Sequence, residues 1–307
     1  MGNKVRVSEI ASFLGSQYWG GDFELDGVSS LENVTDNTLV FSKNALLSFP
    51  KSKRVLALVP HTYKVDNEQT RFSVIKVANP RLEFARIVTK FFVAKPVPGV
   101  CNTTRLGENC SISETVRIGS HCVIGNNVTI CSNSIINNHV IVADNVRIGE
   151  NCYIKSGSVI GEDGFGFDFD ENKTPIRIPH VGRVIIGNNV EIGAKNTIAR
   201  GTIGDTVIED GVKIDDQVHI AHNCRIGKNS IITACAEISG SVEIGEKCWL
   251  APNCTIINKI KIGNNVLVGI GALIIKDLPD NTKYMGLEAL KLRDLKKIKM
   301  AIAYGCE

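Results

Sequence analysis

The chain has 307 residues, 43% hydrophobic and 22% charged, with a formal net charge of +3. That is apolar enough to fill a sizeable core, and no apolar run reaches membrane-spanning length, which sets aside disordered and helical membrane classes. So small a positive excess, with no basic stripe, excludes a charge-driven nucleic-acid binder.

Residues 1–100 carry no long repeat and predict a small α/β domain. Val7 to Leu14 reads as a short helix, Arg54 to Val59 and Ser73 to Val77 as strands, and Arg81 to Phe92, after Pro80, as an amphipathic helix. Lys95 to Gly99, rich in proline, reads as a stiff linker.

From Leu106 an aliphatic residue recurs at every sixth position through Ile112, Ile118 and on to Ile160, then from Ile186 to Ile198 and from Ile208 to Ile274. Helices repeat at about 3.6 residues and strands at about 2. The period of six therefore predicts a mainly β domain, a parallel β-helix of hexapeptide repeats, over 101–284. Three hexads close one triangular coil, so stacked residues are eighteen apart in sequence, with coils about 4.8 Å apart. Gly107, Gly125, Gly245 and others follow the ridge aliphatics and mark corners where a Cβ is a hindrance, and pairs such as Asn126-Asn127 extend the turn. Cys110, Cys122, Cys152, Cys224, Cys248 and Cys254 stand two residues before a ridge aliphatic, a slot facing the same way, and are expected as small inward packing residues. No CxxC pair or secretory leader is present, so a reduced, cytoplasmic protein is expected.

The repeat breaks twice. Residues 163–182 are expected to leave the prism as a loop whose Phe165, Phe167 and Phe169 need cover, and Gly204 to Thr206 to form a bulge. Lys276 to Asn281 is expected to end the coil. The tail, 285–307, reads as a helix with Leu295, Ile298 and Ile302 on one face and a basic surface.

A smooth prism has no deep pocket, so a site is expected between prisms, which favours a closed homotrimer. His222 is the candidate base. Asp215, upstream, is expected to orient its ring, and Gly240, one coil away, to set an open backbone N–H beside it for a developing oxyanion. His180, at the end of the Phe-rich loop, is expected to line the cleft. The alternatives are a surface histidine on a non-catalytic binding module and a zinc hydratase. The latter needs three His ligands, but His219 and His222 would point apart and no third has partner spacing, so no metal is expected.

Several segments resemble a known family: Gly164-Phe-Gly-Phe167, Ile178-Pro-His-Val-Gly-Arg-Val-Ile-Ile-Gly187, Val190-Glu-Ile-Gly193, Arg200-Gly201, Asp205-Thr206, Gly211-Val-Lys-Ile-Asp215 and Ile220-Ala-His-Asn223. They are similar to the UDP-3-O-(3-hydroxyacyl)glucosamine N-acyltransferases of lipid A biosynthesis. Phe41, Asn44, Asn79-Pro80 and Ala85-Arg86 resemble that family's nucleotide-binding domain. The resemblance implies a left-handed β-helix trimer, against the usual crossover hand. It also implies His222 as general base, Gly240 N–H as oxyanion donor and Asp215 as the acidic residue upstream. Phe41, Asn44, His180, Phe165, Phe167 and Asn223 are implied as substrate contacts. The implied partners are a nucleotide-linked amino sugar and an acyl thioester on acyl carrier protein or coenzyme A, with no permanently bound cofactor. The sequence departs at Leu47, where the family stacks an aromatic on uridine, and at Ile256 to Lys259, which lacks a second His. The segment Ile275 to Asn281 also resembles acetyl-CoA-dependent nucleotide-sugar N-acetyltransferases.

Overall fold

The computed structural model describes residues 4–44, 53–65 and 72–286. Leu47 and the expected tail helix lie outside them, apart from Met285 and Gly286. The chain divides after Lys95 into two compact units. The boundary falls upstream of residue 100 because Gly99–Val100 is already a strand, paired with Arg117–Ile118.

In the first unit, Val55–Pro60 and Phe72–Val77 pair in parallel at the centre of a five-stranded sheet. Thr38–Phe41 and Gly27–Val28 extend it, and Tyr18–Trp19 closes the other edge antiparallel. Val55 to Val59 are fully buried, as a continuous apolar run covered on both faces requires. The helices are Val7–Phe13 and Pro80–Ile87. Asn79 caps the second by accepting from the Leu82 amide at 3.2 Å, and Pro80 sits where no amide partner is needed. The expected helix to Phe92 is regular only to Ile87; Val88–Phe92 widens into a π turn. There the Thr89 hydroxyl donates back to the Ala85 carbonyl at 2.8 Å and competes with the regular ladder.

The second unit is the triangular prism. Its three parallel sheets hold 10, 9 and 8 strands; the first face begins at Gly99–Val100, the second at Arg105–Leu106 and the third at Ser111–Ile112. Ridge aliphatics pair coil to coil, as in Ile118 with Ile136 and Ile136 with Ile154, and form one continuous buried core. Deleting such a side chain, as in Ile154→Ala, leaves a void between coils that cannot collapse, and costs about 2–5 kcal/mol.

Corner chemistry explains the Gly-Asn and Gly-Asp patterns. At Gly125 a Cβ would lie 2.3 Å from Asp144 Oδ1, and that oxygen accepts from the Asn126 amide at 2.7 Å. Glycine is thus required by the side chain of the next coil rather than by its own backbone angles. The left-handed turn falls on the following residues, such as Asn109, Asn127, Asn145 and Asn189, with φ between 54° and 64°, where asparagine is tolerated best.

Where the inward slot before a ridge holds a serine, or one of several cysteines, it also carries a hydrogen bond. Ser134, Ser158 and Ser230 donate to corner carbonyls at 2.7–2.8 Å, and Cys122, Cys224 and Cys248 place their thiols on equivalent carbonyls. Burial pushes the Cys224 and Cys254 thiols up to about 11. Iodoacetamide at pH 8 is therefore expected to alkylate exposed Cys235 and half-buried Cys101 before Cys224 and Cys254, which should react only on unfolding. Peptide mapping reads the order.

Both interruptions leave at the corner between the second and third faces. The first departs after Val159–Ile160 and returns at Val184–Ile186. It is not a plain loop: Phe167–Phe169 and Pro175–Arg177 form an antiparallel hairpin. The second is a longer excursion than a bulge, leaving after Thr197–Ile198 and rejoining at Thr206–Ile208. Lys276 to Asn281 does not end the coil, because Leu278 bridges Ile262 and Lys283–Tyr284 adds a last strand. No helix among the described residues is long and apolar enough to cross a membrane.

Candidate active site

The two excursions matter because they emerge on coils stacked directly before His222. The strand His219–Ile220 lies on the second face, and the chain turns at Asn223, whose φ is 59°. Asn223 Oδ1 accepts from the Thr202 amide at 3.0 Å and the Thr202 hydroxyl at 2.8 Å. Its Nδ2 donates to the Gly204 carbonyl at 3.4 Å, and its own amide donates to Thr206 Oγ1 at 2.9 Å. The second excursion is therefore a clamp on Asn223.

That clamp fixes the His222 tautomer. A backbone amide only donates, so the Asn223 atom facing Thr202 is the oxygen. His222 Nδ1, 3.0 Å from the same oxygen, must then donate to it. The neutral ring is left with a bare Nε2. Asn223→Gly keeps the left-handed turn and removes the clamp; kcat should fall at least about tenfold with little change in Tm.

Gly240 closes the other side. A Cβ there would lie 2.7 Å from both Nε2 and Cε1 of His222, so only glycine lets the two coils approach this closely. The Ser239 carbonyl, the other half of the same peptide, accepts from the buried Cys224 thiol at 3.2 Å. In a trans peptide the N–H points opposite to the C=O. With the carbonyl held inward, the Gly240 N–H points out beside His222, and it has no backbone acceptor among the described residues.

His222 and Gly240 line an open cleft of about 790 Å³, with Gly164, Phe165, Arg177 and Ala199 among its walls. Arg200 staples the hairpin root through the Gly161 carbonyl and, at 3.1 Å, the Asp144 carbonyl. His219 and His222 both line this cleft, with His219 3.9 Å from Glu237. Among the described residues no group of three His, Cys, Asp or Glu is arranged to hold a metal.

Other sequence-based candidates separate. Asp215 is not brought to His222 within the chain; it lies at the corner between the first and second faces. There its carbonyl accepts from Asn196 at 3.0 Å, and its neighbour Asp216 accepts from the Ala194 amide at 2.7 Å and pairs with Lys155 at 3.2 Å. Within the chain, the group bonded to the His222 ring is Asn223. His180 is only 6% exposed and sits behind His222, ring centroids 5.4 Å apart, rather than on the cleft surface. Phe165 is 85% exposed on the cleft wall. Phe167 packs against it with its ring tilted by 56°, centroids 4.8 Å apart, and lies under Arg177 at 4.9 Å. Phe41 and Asn44 belong to the first unit, where Phe41 packs on Phe84 at 4.8 Å.

The bacterial transferase hexapeptide family (six repeats) matches residues 128–162 and 205–240, and the hexapeptide repeat of succinyl-transferase matches 103–138. An 80-residue stretch is 60% identical to the UDP-3-O-acylglucosamine N-acyltransferase of Dechloromonas aromatica, covering 26% of this chain and 23% of that one. The Coxiella burnetii enzyme of the same name is 58% identical over 38% of this chain and 35% of that one. The Helicobacter hepaticus enzyme of that name is 38% identical over 293 residues, covering 92% of this chain and 90% of its own. The chain belongs to the UDP-3-O-acylglucosamine N-acyltransferase family. Among solved structures, LpxA from Acinetobacter baumannii matches at a TM-score of 0.56 and 26% identity, covering 66% of this chain and 77% of that one. The UDP-N-acetylglucosamine acyltransferase of Francisella novicida matches at 0.56 and 25%, covering 66% and 78%. The prism is thus a left-handed parallel β-helix, and the chain is an acyltransferase.

In this acyltransferase, Thr202, Gly164 and Cys224 support the site, and none was identified as doing so from the sequence. The ten-residue step from Ile198 to Ile208 was the available signal for Thr202. Cys224 looked identical to its packing siblings.

Proposed function

We propose that this chain transfers an acyl group from a thioester to the amine of a UDP-linked, 3-O-acylated glucosamine, as an N-acyltransferase of the lipid A type. The observation that carries the reading is a bare His222 Nε2 pinned against the outward Gly240 N–H. The amine nitrogen attacks the thioester carbonyl and a C–N bond forms. The carbonyl oxygen gains charge and receives the Gly240 N–H, while His222 Nε2 takes the proton that the nitrogen sheds. Collapse breaks the C–S bond, and the thiolate recovers the proton from the His222 imidazolium. The amide and a free thiol result.

The donor is an acyl thioester on acyl carrier protein or coenzyme A, with no resident cofactor. Phe41 and Asn44 contact the nucleotide, and Phe165 flanks the bound substrates. The working form is a cytoplasmic homotrimer in which a neighbouring prism closes the open cleft and covers exposed Phe165 and Phe169. Support comes from family membership and from the openness of the cleft in a single chain.

A mass-spectrometric screen of nucleotide amino sugars against short and long thioesters tests this. The expected product is an amide of UDP-3-O-acylglucosamine made from a long 3-hydroxyacyl thioester. Product from acetyl-CoA alone would move the chain to the nucleotide-sugar N-acetyltransferases. No product from any pair would overturn the amino-sugar reading.

A further inference from the structure

His180 is buried beside the reacting ring without touching the cleft. Its Nδ1 lies 3.0 Å from the Ile178 carbonyl. A carbonyl only accepts, so Nδ1 carries the proton and Nε2 holds a bare lone pair. That Nε2 is buried with no hydrogen-bond partner among the described residues, an arrangement that costs free energy and that phenylalanine would avoid.

The lone pair has a neighbour of another kind. The His180 and His222 rings meet edge to face, centroids 5.4 Å apart and planes at 79°. Gly164 is wedged between them: a Cβ there would be 3.0 Å from His180 Nε2 and equally 3.0 Å from Cβ and Cδ2 of His222. Gly166 is similarly close, with its Cβ position 3.0 Å from His180 Cε1. The hairpin root thus clamps one imidazole against the other.

We propose that His180 is a positioning residue for acyl transfer. Its ring holds His222 in place, and its bare Nε2 faces the imidazolium that forms when His222 accepts the amine proton. A neutral His222 gains nothing from that lone pair, whereas the charged ring, with its polarised C–H edge, does. The interaction is stronger in the charged state than in the resting one, so it acts on kcat rather than on substrate binding. This rests on the reading of His222 as the base.

The test compares His180→Gln, His180→Phe and His180→Ala in the full chain, assayed with UDP-3-O-acylglucosamine and a 3-hydroxyacyl carrier-protein thioester. Glutamine keeps an acceptor at similar reach, phenylalanine keeps only the volume, and alanine keeps neither. The expected result is kcat within about threefold of native for Gln and about tenfold down for Phe. For Ala it falls further, with both KM values within about twofold throughout. Native kcat in the Phe variant, or a rise in KM alone, overturns the role. If the Phe variant does not fold, equal kcat for Gln and Ala overturns it. His222→Ala, run in parallel, separates the layers. An active His222→Ala sinks the base itself; an inactive His222→Ala beside a fully active His180→Phe sinks only the positioning role.

Discussion

Replacing His222 with alanine is expected to leave the prism folded and to lower kcat by about a thousandfold, within the range usual for loss of a general base. The fold survives because the ring stands outside the ridge core, at a corner, and the left-handed turn is made by Asn223 at φ 59° rather than by His222. Asn223 also keeps its bonds to Thr202 and Gly204 when the ring is gone. His222→Gln sharpens the test. Its amide can still donate to Asn223 Oδ1, but it cannot accept the amine proton, so kcat should fall as far as in the alanine variant. Recovery of near-native turnover by glutamine would mean that the ring only fills space. Steady-state rates with both substrates, alongside thermal unfolding, decide between these outcomes.

The prism was legible because a period of six leaves a mark on every coil. Ile118, Ile136 and Ile154 are each forced by the same packing constraint, and their pairing follows directly from the spacing. The juxtaposition of Gly240 and His222 came from the same arithmetic, since a separation of eighteen is one coil. What the period could not convey is which corner a side chain leaves from once the chain departs from it. Asp215 precedes His222 by seven residues, near enough to suggest an orienting carboxylate. Seven residues, however, carry the chain past a whole face to another corner. The group that meets the ring within the chain is the adjacent Asn223, held by Thr202, a residue inside an excursion with no repeat to place it. His180 was assigned to the cleft because its loop was expected to open outward. The hairpin instead folds back and buries it, through glycines whose lack of a Cβ is the only sequence trace of that contact. Handedness is equally invisible to a period, because both hands bury the same residues.

Gly240→Ala should separate catalysis from stability. The backbone there is not in the left-handed region, so alanine is allowed on conformational grounds. The obstacle is the ring: the new Cβ would lie 2.7 Å from His222 Nε2 and Cε1. A side chain can yield where a backbone cannot, so the imidazole swings away. It loses its bond to Asn223 Oδ1 and its place beside the Gly240 N–H. A displacement of about 1 Å at reacting groups is worth about a hundredfold in rate, and kcat is expected to fall by that order while unfolding shifts by less than about 1 kcal/mol. Gly125→Ala is the complement. Its Cβ would meet Asp144 Oδ1 at 2.3 Å, which can swing away, but also the Asp144 backbone nitrogen at 2.6 Å and the Ala143 carbonyl carbon at 2.8 Å, which belong to the next coil's backbone and cannot move aside. Overpacking of that kind costs about 1–3 kcal/mol and does not touch the His222 ring, so Tm should drop by more than for Gly240→Ala while kcat falls far less. If Gly240→Ala instead unfolds the protein like Gly125→Ala, the glycine serves the coil. If it leaves both rate and stability intact, the close approach of ring and amide has no part in the chemistry.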